Sequence, residues 1–214
     1  MSVGSAIRRL LGTRLARRAG RWYRAVYVDL DKMAFALAEV VPRNAHLLDI
    51  GGGDGQPLNH LLALRSDLRV TTIDPAPVVG EWIEAQYLCR CTRLPGTTLA
   101  DYLASTRASP DAILIADVMH HIPETARESF IKSVSVLLER VPELQIILKD
   151  VEPGYWRASL GFLSDRYITG DRNVSLISSD RATKLFEGVL GPLDRNDTNL
   201  FKTDKPNYAI VLRR

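Results

Sequence analysis

The sequence predicts an α/β protein with a doubly wound, mostly parallel sheet that is covered by helices on both faces. Short apolar runs that suit buried strands alternate with helical segments along most of the chain. The length of 214 residues and the hydrophobic share of 46% suit one globular domain with an ordinary core. No run of about 18 uncharged apolar residues occurs, so no membrane-spanning helix is predicted.

The predicted elements follow one another along the sequence. Amphipathic spacing predicts helices at residues 6–28, 30–40, 57–64, 78–87, 124–139 and 179–190. Apolar and β-branched runs predict strands at residues 46–50, 68–73, 112–119, 144–148 and 208–212. Pro42 is expected to stop the second helix, and the last helix has Ser179 or Asp180 as its expected N-cap and Gly191 as its stop. No element is predicted for residues 88–109 and 152–178.

A basic arm opens the sequence. Residues 1–28 hold seven arginines and no acidic residue, whereas the remaining residues hold 21 basic and 25 acidic side chains. On a helical wheel, one arc collects Arg14, Arg17, Arg18, Arg21 and Arg24. The apolar residues of the arm lie on the facing arc. We therefore divide the protein into a basic helical arm or cap at residues 1–42 and a main domain at residues 43–214.

Four interpretations of the arm follow from its composition. The first is that its apolar arc packs on the main domain while its arginines stay in water. The alternatives are peripheral contact with an anionic membrane, contact with nucleic-acid phosphates, and a targeting segment. The acidic balance of the main domain counts against nucleic acid as a partner.

The number and spacing of the cysteines indicate the redox state of the cellular compartment. The two cysteines, Cys89 and Cys91, are poorly spaced to bridge each other and too few for a zinc site. This predicts a reducing, cytoplasmic environment, with a position at a membrane surface through the arm as the alternative.

The most specific motif is a glycine loop at residues 49–56, between a strand and a helix. It reads Asp49-Ile50-Gly51-Gly52-Gly53-Asp54-Gly55-Gln56. Glycines permit positive φ and let a ligand approach bare backbone, and the helix N-terminus adds positive potential. The dinucleotide fingerprint fails because Gln56 stands where the third glycine is required, and no phosphate-binding P-loop is present. The pattern that fits is [D/E]-x-G-x-G-x-G.

With this motif, residues 43–214 resemble the class I S-adenosylmethionine-dependent methyltransferases. The resemblance implies a Rossmann-like sheet with an antiparallel last strand, and S-adenosylmethionine as the cofactor. Asp74 ends the next strand, 19 residues after Gly55, where a carboxylate accepts ribose hydroxyls in nucleotide-binding α/β folds. The cofactor-binding residues that we expect are Asp49, Gly51, Gly52, Gly53, Gly55, Gln56, Asp74, Pro75, Asp101 and Asp117.

A histidine pair, His120 and His121, follows the strand predicted at residues 112–119. Ligands of open α/β sheets bind beyond the carboxyl ends of the strands, and an imidazole suits base catalysis near neutrality. The stretch also resembles the L-H-D-W segment of small-molecule O-methyltransferases, which implies His120 as the base. Asp150, at the end of the neighbouring strand, is expected to orient one imidazole. The alternative is that the pair caps a helix or packs beneath the cofactor.

Asp117 and Asp150 also suit the oxygen preference of Mg²⁺, as in a catechol-type enzyme. No third ligand is evident in the sequence, so no metal is predicted.

The substrate pocket is predicted from the stretch between the strand at residues 144–148 and the last helix. Aromatic and arginine side chains suit a partly apolar substrate with an anionic group. The expected contacts are Trp156, Arg157, Arg166 and Tyr167, together with Tyr27 of the arm. The alternative is a plain helix that covers the sheet.

The sequence thus predicts S-adenosylmethionine-dependent methyl transfer to a small molecule, with an oxygen as the nucleophile. A non-catalytic cofactor-binding protein of the same fold is one alternative. A methyltransferase for a lipid or nucleic-acid-associated substrate and a nucleotide-dependent oxidoreductase are the others. The sequence predicts no oligomeric state.

Overall fold

The computed structural model describes residues 29–154, 174–197 and 207–214. The strands are β1 His46–Ile50, β2 Arg69–Asp74, β3 Cys91–Pro95, β4 Ala112–Ala116, β5 Gln145–Val151, β6 Asp194–Asp197 and β7 Asn207–Arg213. The helices are α1 Leu30–Val40, α2 Gln56–Leu64, α3 Leu99–Ser105, α4 Glu124–Arg140 and α5 Ser179–Leu190. Two 3₁₀ turns span Ala85–Arg90 and Met119–His121. No helix within the described ranges is long and apolar enough to cross a membrane.

These strands form one sheet in the order β3-β2-β1-β4-β5-β7-β6. Strands β1 to β5 run parallel, and β7 runs antiparallel to both β5 and β6. The predicted doubly wound sheet with an antiparallel last strand is therefore confirmed. The strand order reverses between β1 and β4, and the crevice at such a reversal is where open α/β sheets bind ligands.

Apolar cores fill both faces of the sheet. On one face α3, α4 and α5 bury side chains such as Tyr102, Ile131 and Phe186 against the strands. On the other face α1 and α2 bury side chains such as Leu37 and Leu61. Because both faces of the sheet are covered, most strands have apolar residues at consecutive positions and do not alternate between apolar and polar residues.

Helix α1 packs on the main body although it precedes residue 43. Its N-cap is Asp29, whose carboxylate accepts a hydrogen bond from the Lys32 backbone N–H at 3.1 Å. At its other end, the Arg65 guanidinium donates to the carbonyls of Ala38, Val41 and Pro42 at 2.7–2.8 Å. Because the last carbonyls of a helix have no partner within it, the guanidinium of Arg65 caps the C-terminal end of α1.

One predicted helix, at residues 78–87, is wrong. The backbone N–H groups of Gly80 and Trp82 donate to the carbonyls of Gly53 and Asp54 at 2.8 Å, so they are not available for a helix of their own. Gly80 has a φ of +63°, which also interrupts helical geometry. The segment instead braces the glycine loop, and only the 3₁₀ turn at Ala85–Arg90 forms.

Other boundaries also differ from the prediction. The strand expected at residues 112–119 ends at Ala116, because Asp117 adopts a left-handed φ of +57° and a 3₁₀ turn follows. The unassigned residues 88–109 contain β3 and α3, and β6 was not predicted. The cap of α5 is Ser178, one residue before the two candidates, while Gly191 ends the helix as expected.

Several predicted features lie outside the described residues. They include the arm at residues 1–28 with Tyr27, and the expected substrate contacts Trp156, Arg157, Arg166 and Tyr167. The division of the protein at residue 42 stays a prediction as well.

Candidate functional site

The glycine loop follows β1 at the crevice and is held by backbone hydrogen bonds. The N–H groups of Gly51 and Gly52 both donate to the Ile73 carbonyl of β2, at 2.8 and 3.2 Å. The Gly53 N–H donates to a carboxylate oxygen of Asp74 at 3.0 Å. The loop is thereby fixed to the end of β2, and its shape does not depend on a ligand.

Glycine is required in this loop for two different reasons. A Cβ on Gly52 would lie 1.8 Å from Thr72 Oγ1 and 2.4 Å from a carboxylate oxygen of Asp49, so no side chain fits there. A Cβ on Gly53 would meet no atom of the described residues within 4 Å, but the residue has a φ of +53°. The loop therefore offers bare backbone to open space at Gly53, which fits a cradle for an extended polar ligand.

Asp49 lies beneath the loop and is buried. Its carboxylate accepts a hydrogen bond from the hydroxyl of Thr72 at 2.8 Å. Burial raises the pKa of Asp49 to about 6, although the Thr72 bond opposes this shift. The nearby charge of Asp74 adds to the rise in the pKa. A positively charged ligand group beside Asp49 would favour its ionised form.

Asp74 occupies the expected position at the end of β2. One carboxylate oxygen accepts from the Gly53 N–H and the other from the Ala76 N–H, at 3.0 and 2.8 Å. A carboxylate offers about four acceptor sites, so capacity for ligand hydroxyls remains. Pro75 is exposed beside it, and Gln56 is buried at the start of α2.

Asp101 lies in the first turn of α3 and has a structural task. Its carboxylate accepts from the backbone N–H and the hydroxyl of Thr98, at 3.0 and 2.6 Å, in a capping box. These two bonds lower the pKa of Asp101. Its role as a cofactor contact stays a prediction. Gly96 and Thr97, which were not predicted as site residues, lie nearer to Asp74, because their N–H groups donate to the carbonyls of Ala76 and Asp74.

His120 and Asp150 form a buried pair beyond the ends of β4 and β5. The distance between His120 Nδ1 and a carboxylate oxygen of Asp150 is 2.5 Å, and the His120 backbone N–H donates to the other oxygen at 3.2 Å. The side chains are 5% and 0% exposed. With Nδ1–H donated to the carboxylate, Nε2 is the ring nitrogen that takes up a proton.

His121 differs from its neighbour in position. It is exposed, while the centroids of the two imidazole rings lie 4.1 Å apart. The described contacts thus place only His120 on Asp150, as the sequence predicts for one of the two.

Lys149, which was not predicted as a site residue, places a positive charge beside the acidic residues at the ends of β4 and β5. Its ammonium is completely buried and contacts both carboxylate oxygens of Asp117, at 2.5 and 2.6 Å. Partial loss of water around the half-exposed Asp117 carboxyl would raise its pKa, but the positive charges of Lys149 and the histidines outweigh this effect, so the pKa is lowered. A lysine inside an apolar strand was the available signal, because lysine is almost never fully buried without a partner.

Asp117, His120, Lys149 and Asp150 together are called the charged cluster below. Nitrogen and oxygen atoms of Asp117, His120 and Asp150 lie within 4.8 Å of one another, so His120 supplies the third group that the sequence did not reveal. Lys149 already occupies both oxygens of Asp117, however, and His120 Nδ1 faces Asp150. These atoms are therefore committed to each other and form a poor donor set for Mg²⁺. The expected absence of a metal stays a prediction.

A buried arginine supports the cluster from α4. Arg127 donates to the Ile122 carbonyl at 3.0 Å and to the Ser175 carbonyl at 2.6 Å. The Ser175 N–H in turn donates to the His120 carbonyl at 2.8 Å. The carbonyls of His120 and Ile122 are thereby fixed, which limits movement of the imidazole.

Tyr208 lies opposite Asp150 in the pairing of β7 with β5. Its hydroxyl is buried and finds no hydrogen-bond partner among the described residues. Burial and the charge of Asp150 raise its pKa, so the hydroxyl stays protonated.

Comparison with solved structures places this arrangement in a known fold. The protein resembles the mitomycin 7-O-methyltransferase, with 19% identity and a TM-score of 0.61 over 86% of its residues. It also resembles human N-acetylserotonin methyltransferase in complex with S-adenosylmethionine, with 16% identity and a TM-score of 0.61 over 86% of its residues. The match spans only about half of these two proteins, 53% and 50% of their lengths.

A third solved structure resembles this protein in fold and is also of comparable length. It is a 1,6-didemethyltoxoflavin-N1-methyltransferase from Burkholderia thailandensis with bound S-adenosylhomocysteine, with 16% identity and a TM-score of 0.65. The match includes 92% of the present sequence and 83% of that protein. No protein-family profile and no curated protein matches the sequence. At these identities the structures establish the fold, which is that of S-adenosylmethionine-dependent methyltransferases, as the resemblance predicted.

Proposed function

We propose that this protein is an S-adenosylmethionine-dependent methyltransferase that methylates an oxygen of a small-molecule acceptor. One observation carries the proposal: a preformed glycine cradle and a His–Asp pair lie at the same crevice, at the ends of β1, β4 and β5. The fold comparisons support the same activity. We also propose a cytoplasmic location, with a membrane surface as the alternative.

The residues at the crevice suit this cofactor. Gly53 presents bare backbone, Asp74 retains acceptor capacity for ribose hydroxyls, and Asp49 is a carboxylate for an amino group. When bound, S-adenosylmethionine supplies a methyl group that is activated by the positive charge of its sulfur. The protein then has to align the acceptor, exclude water and take up a proton.

His120 is the group that we assign to proton uptake. Asp150 holds the imidazole at Nδ1, so the proton from an acceptor hydroxyl arrives at Nε2 and the imidazolium is stabilised by the carboxylate. Arg127 and Ser175 hold the backbone around His120 in place. Such a base contributes about 10²–10⁴-fold to the rate.

The choice of oxygen rests on this base and not on the fold. The similar structures include both a 7-O-methyltransferase and an N1-methyltransferase. A neutral hydroxyl acceptor needs a base, which is what the His120–Asp150 pair supplies.

One observation favours a second candidate function. His120 is only 4% exposed, which also suits an imidazole that braces the fold of a non-catalytic cofactor-binding protein. In that case the protein binds S-adenosylmethionine but transfers no methyl group.

Calorimetric titration with S-adenosylmethionine, S-adenosylhomocysteine and NAD tests the cofactor assignment. We expect binding of the first two and none of NAD; binding of NAD alone would contradict the proposal. Incubation with S-adenosylmethionine labelled at the methyl carbon, together with a panel of phenols, enols, carboxylates and amines, then tests the transfer. Binding without labelled product from any acceptor class favours the non-catalytic candidate.

A further inference from the structure

The charged cluster contains a lysine that the proposed proton transfer does not use. Lys149 is 0% exposed at the end of β5, and a buried ammonium is costly unless it is paired well. Its two contacts with Asp117, at 2.5 and 2.6 Å, supply that pairing. A purely apolar residue at this buried position would avoid the cost, so the charge calls for an explanation.

Asp117 is held by its backbone as well as by its carboxylate. Its N–H donates to the Lys149 carbonyl at 2.9 Å, and its φ of +57° is uncommon for a residue other than glycine. Its side chain is 42% exposed, in contrast to that of Lys149. The pair is therefore an oriented dipole with its negative end toward open space and its positive end buried.

The negative end borders the crevice of the glycine loop. A Cβ on Gly51 would lie 2.5 Å from Cγ2 of Val118, the residue after Asp117. Val118 thus packs against the loop, and Asp117 immediately precedes it, at the reversal of strand order between β1 and β4.

We propose that Asp117, positioned by Lys149, recognises the positive charge on the sulfur of the bound cofactor. The pair would favour S-adenosylmethionine, whose sulfonium carries one positive charge, over S-adenosylhomocysteine, whose thioether is neutral. This discrimination rests on the proposed function, and it assigns Lys149 as a positioning residue. The two ligands share their adenosine and amino acid parts, so the ratio of their affinities isolates the contribution of the sulfur.

The test measures both dissociation constants by calorimetry at one neutral pH. We compare wild type with Asp117→Asn, Lys149→Met and the double variant. Removing the carboxylate leaves a positive charge near the sulfur and should lower the preference for S-adenosylmethionine about three- to tenfold. Removing the ammonium should raise the preference, and the double variant should lie between the two single variants.

A matched control is available in a second ion pair. Asp67 pairs with Arg65 at 2.8 Å but precedes β2, at the edge of the sheet opposite the crevice. Asp67→Asn should leave the affinity ratio unchanged.

Opposite signs in the two single variants distinguish charge recognition from a structural role, which would move both variants in the same direction. Equal signs, or an unchanged ratio in Asp117→Asn, overturn the inference. If Lys149→Met does not fold, the double variant is compared with Asp117→Asn instead. The double variant must then show the stronger preference for S-adenosylmethionine over S-adenosylhomocysteine. An equal or weaker preference also overturns the inference. Wild type that binds neither ligand contradicts the proposed function itself.

Discussion

The two sides of the crevice are built by different means. The glycine loop relies on backbone: three consecutive N–H groups are fixed to the end of β2, and among the described residues no side chain lies within 4 Å of a Cβ placed on Gly53. The charged cluster relies on side chains that are about 30 residues apart in the sequence and buried together, with His120 on Asp150 and Lys149 on Asp117. The candidate cofactor cradle is thus one short, contiguous stretch of backbone, whereas the charged cluster consists of side chains that only the folded sheet brings together.

This contrast predicts that changes in the loop affect cofactor affinity, while changes in the cluster affect turnover or charge preference. Substitutions at each side separate the two properties, provided that stability is measured in parallel.

The largest effect is expected for His120→Gln. Loss of the base should lower turnover about 10²–10⁴-fold while cofactor affinity stays nearly unchanged. His121→Gln is the matched control, because His121 is the exposed neighbour, and it should keep most of the activity. Steady-state kinetics on the acceptor found in the labelled screen provides the measurement. Full turnover in the His120 variant would show that alignment alone suffices.

Asp74→Ala should lower the affinity for the cofactor. The carboxylate fixes Gly53 and is expected to accept ribose hydroxyls, and a charge-assisted hydrogen bond is worth about 1.5–3 kcal/mol. We expect a loss of at least one such bond in calorimetry, or roughly tenfold or more in affinity. Asp101→Ala is the comparison, since its carboxylate serves the α3 cap. Equal losses in both variants would remove the distinction between these two acids.

Gly52→Ala should damage the loop itself. The added Cβ would overlap Thr72 Oγ1, so β2 or the loop has to shift, at a cost of about 1–3 kcal/mol in the free energy of unfolding. Gly188→Ala, inside α5 with no described residue within 4 Å of the added Cβ, is the control and should stabilise the protein by up to about 1 kcal/mol. Urea unfolding of both variants checks this. A Gly52 variant as stable as wild type would mean that the loop is looser than its contacts indicate.

Asp49→Asn should stabilise the fold at neutral pH. The pKa of Asp49 is raised to about 6 by burial, so the folded state binds the proton more tightly than the unfolded protein. Stability is therefore lost as the pH rises from about 4 to 6, and at neutral pH the variant should gain about 1–3 kcal/mol. At pH 4 the gain should vanish. Cofactor affinity should fall, since the carboxylate is gone.

Asp67→Asn provides the contrast for this pH dependence. The hydrogen bond from Arg65 lowers the pKa of Asp67, so its contribution to stability is present above the ordinary Asp range and is lost on acidification. This variant should lose stability at neutral pH. Melting curves between about pH 2 and pH 7.5 measure both variants, and a stability change of the same sign in both at neutral pH would contradict the assignment of the two shifts.

Local sequence was sufficient to predict most helices and strands and to recognise the glycine loop. Helices α1 and α5 have the predicted bounds, and β1 matches at residues 46–50, because apolar periodicity and capping residues act over a few positions. The glycine pattern was likewise recognisable from a short stretch of sequence, although it is Thr72 of the neighbouring strand that excludes a side chain at Gly52. The helix predicted at residues 78–87 does not form, because a distant contact overrides the local preference. The composition of this segment suits a helix, but its backbone hydrogen bonds to Gly53 and Asp54 hold it in a different conformation.

The charged cluster shows what only the tertiary structure decided. Sequence alone placed Asp117, His120 and Asp150 at strand ends, since the carboxyl ends of parallel strands share one edge of a sheet. Which carboxylate meets the imidazole and which meets an ammonium depends on strand register, on the left-handed turn at Asp117 and on the burial of Lys149. Sequence determined that acidic residues and a histidine lie at this edge, because each of them follows an apolar run that is recognisable locally; the fold alone determined their pairing, because the energy of a buried charge depends on partners that are distant in the sequence.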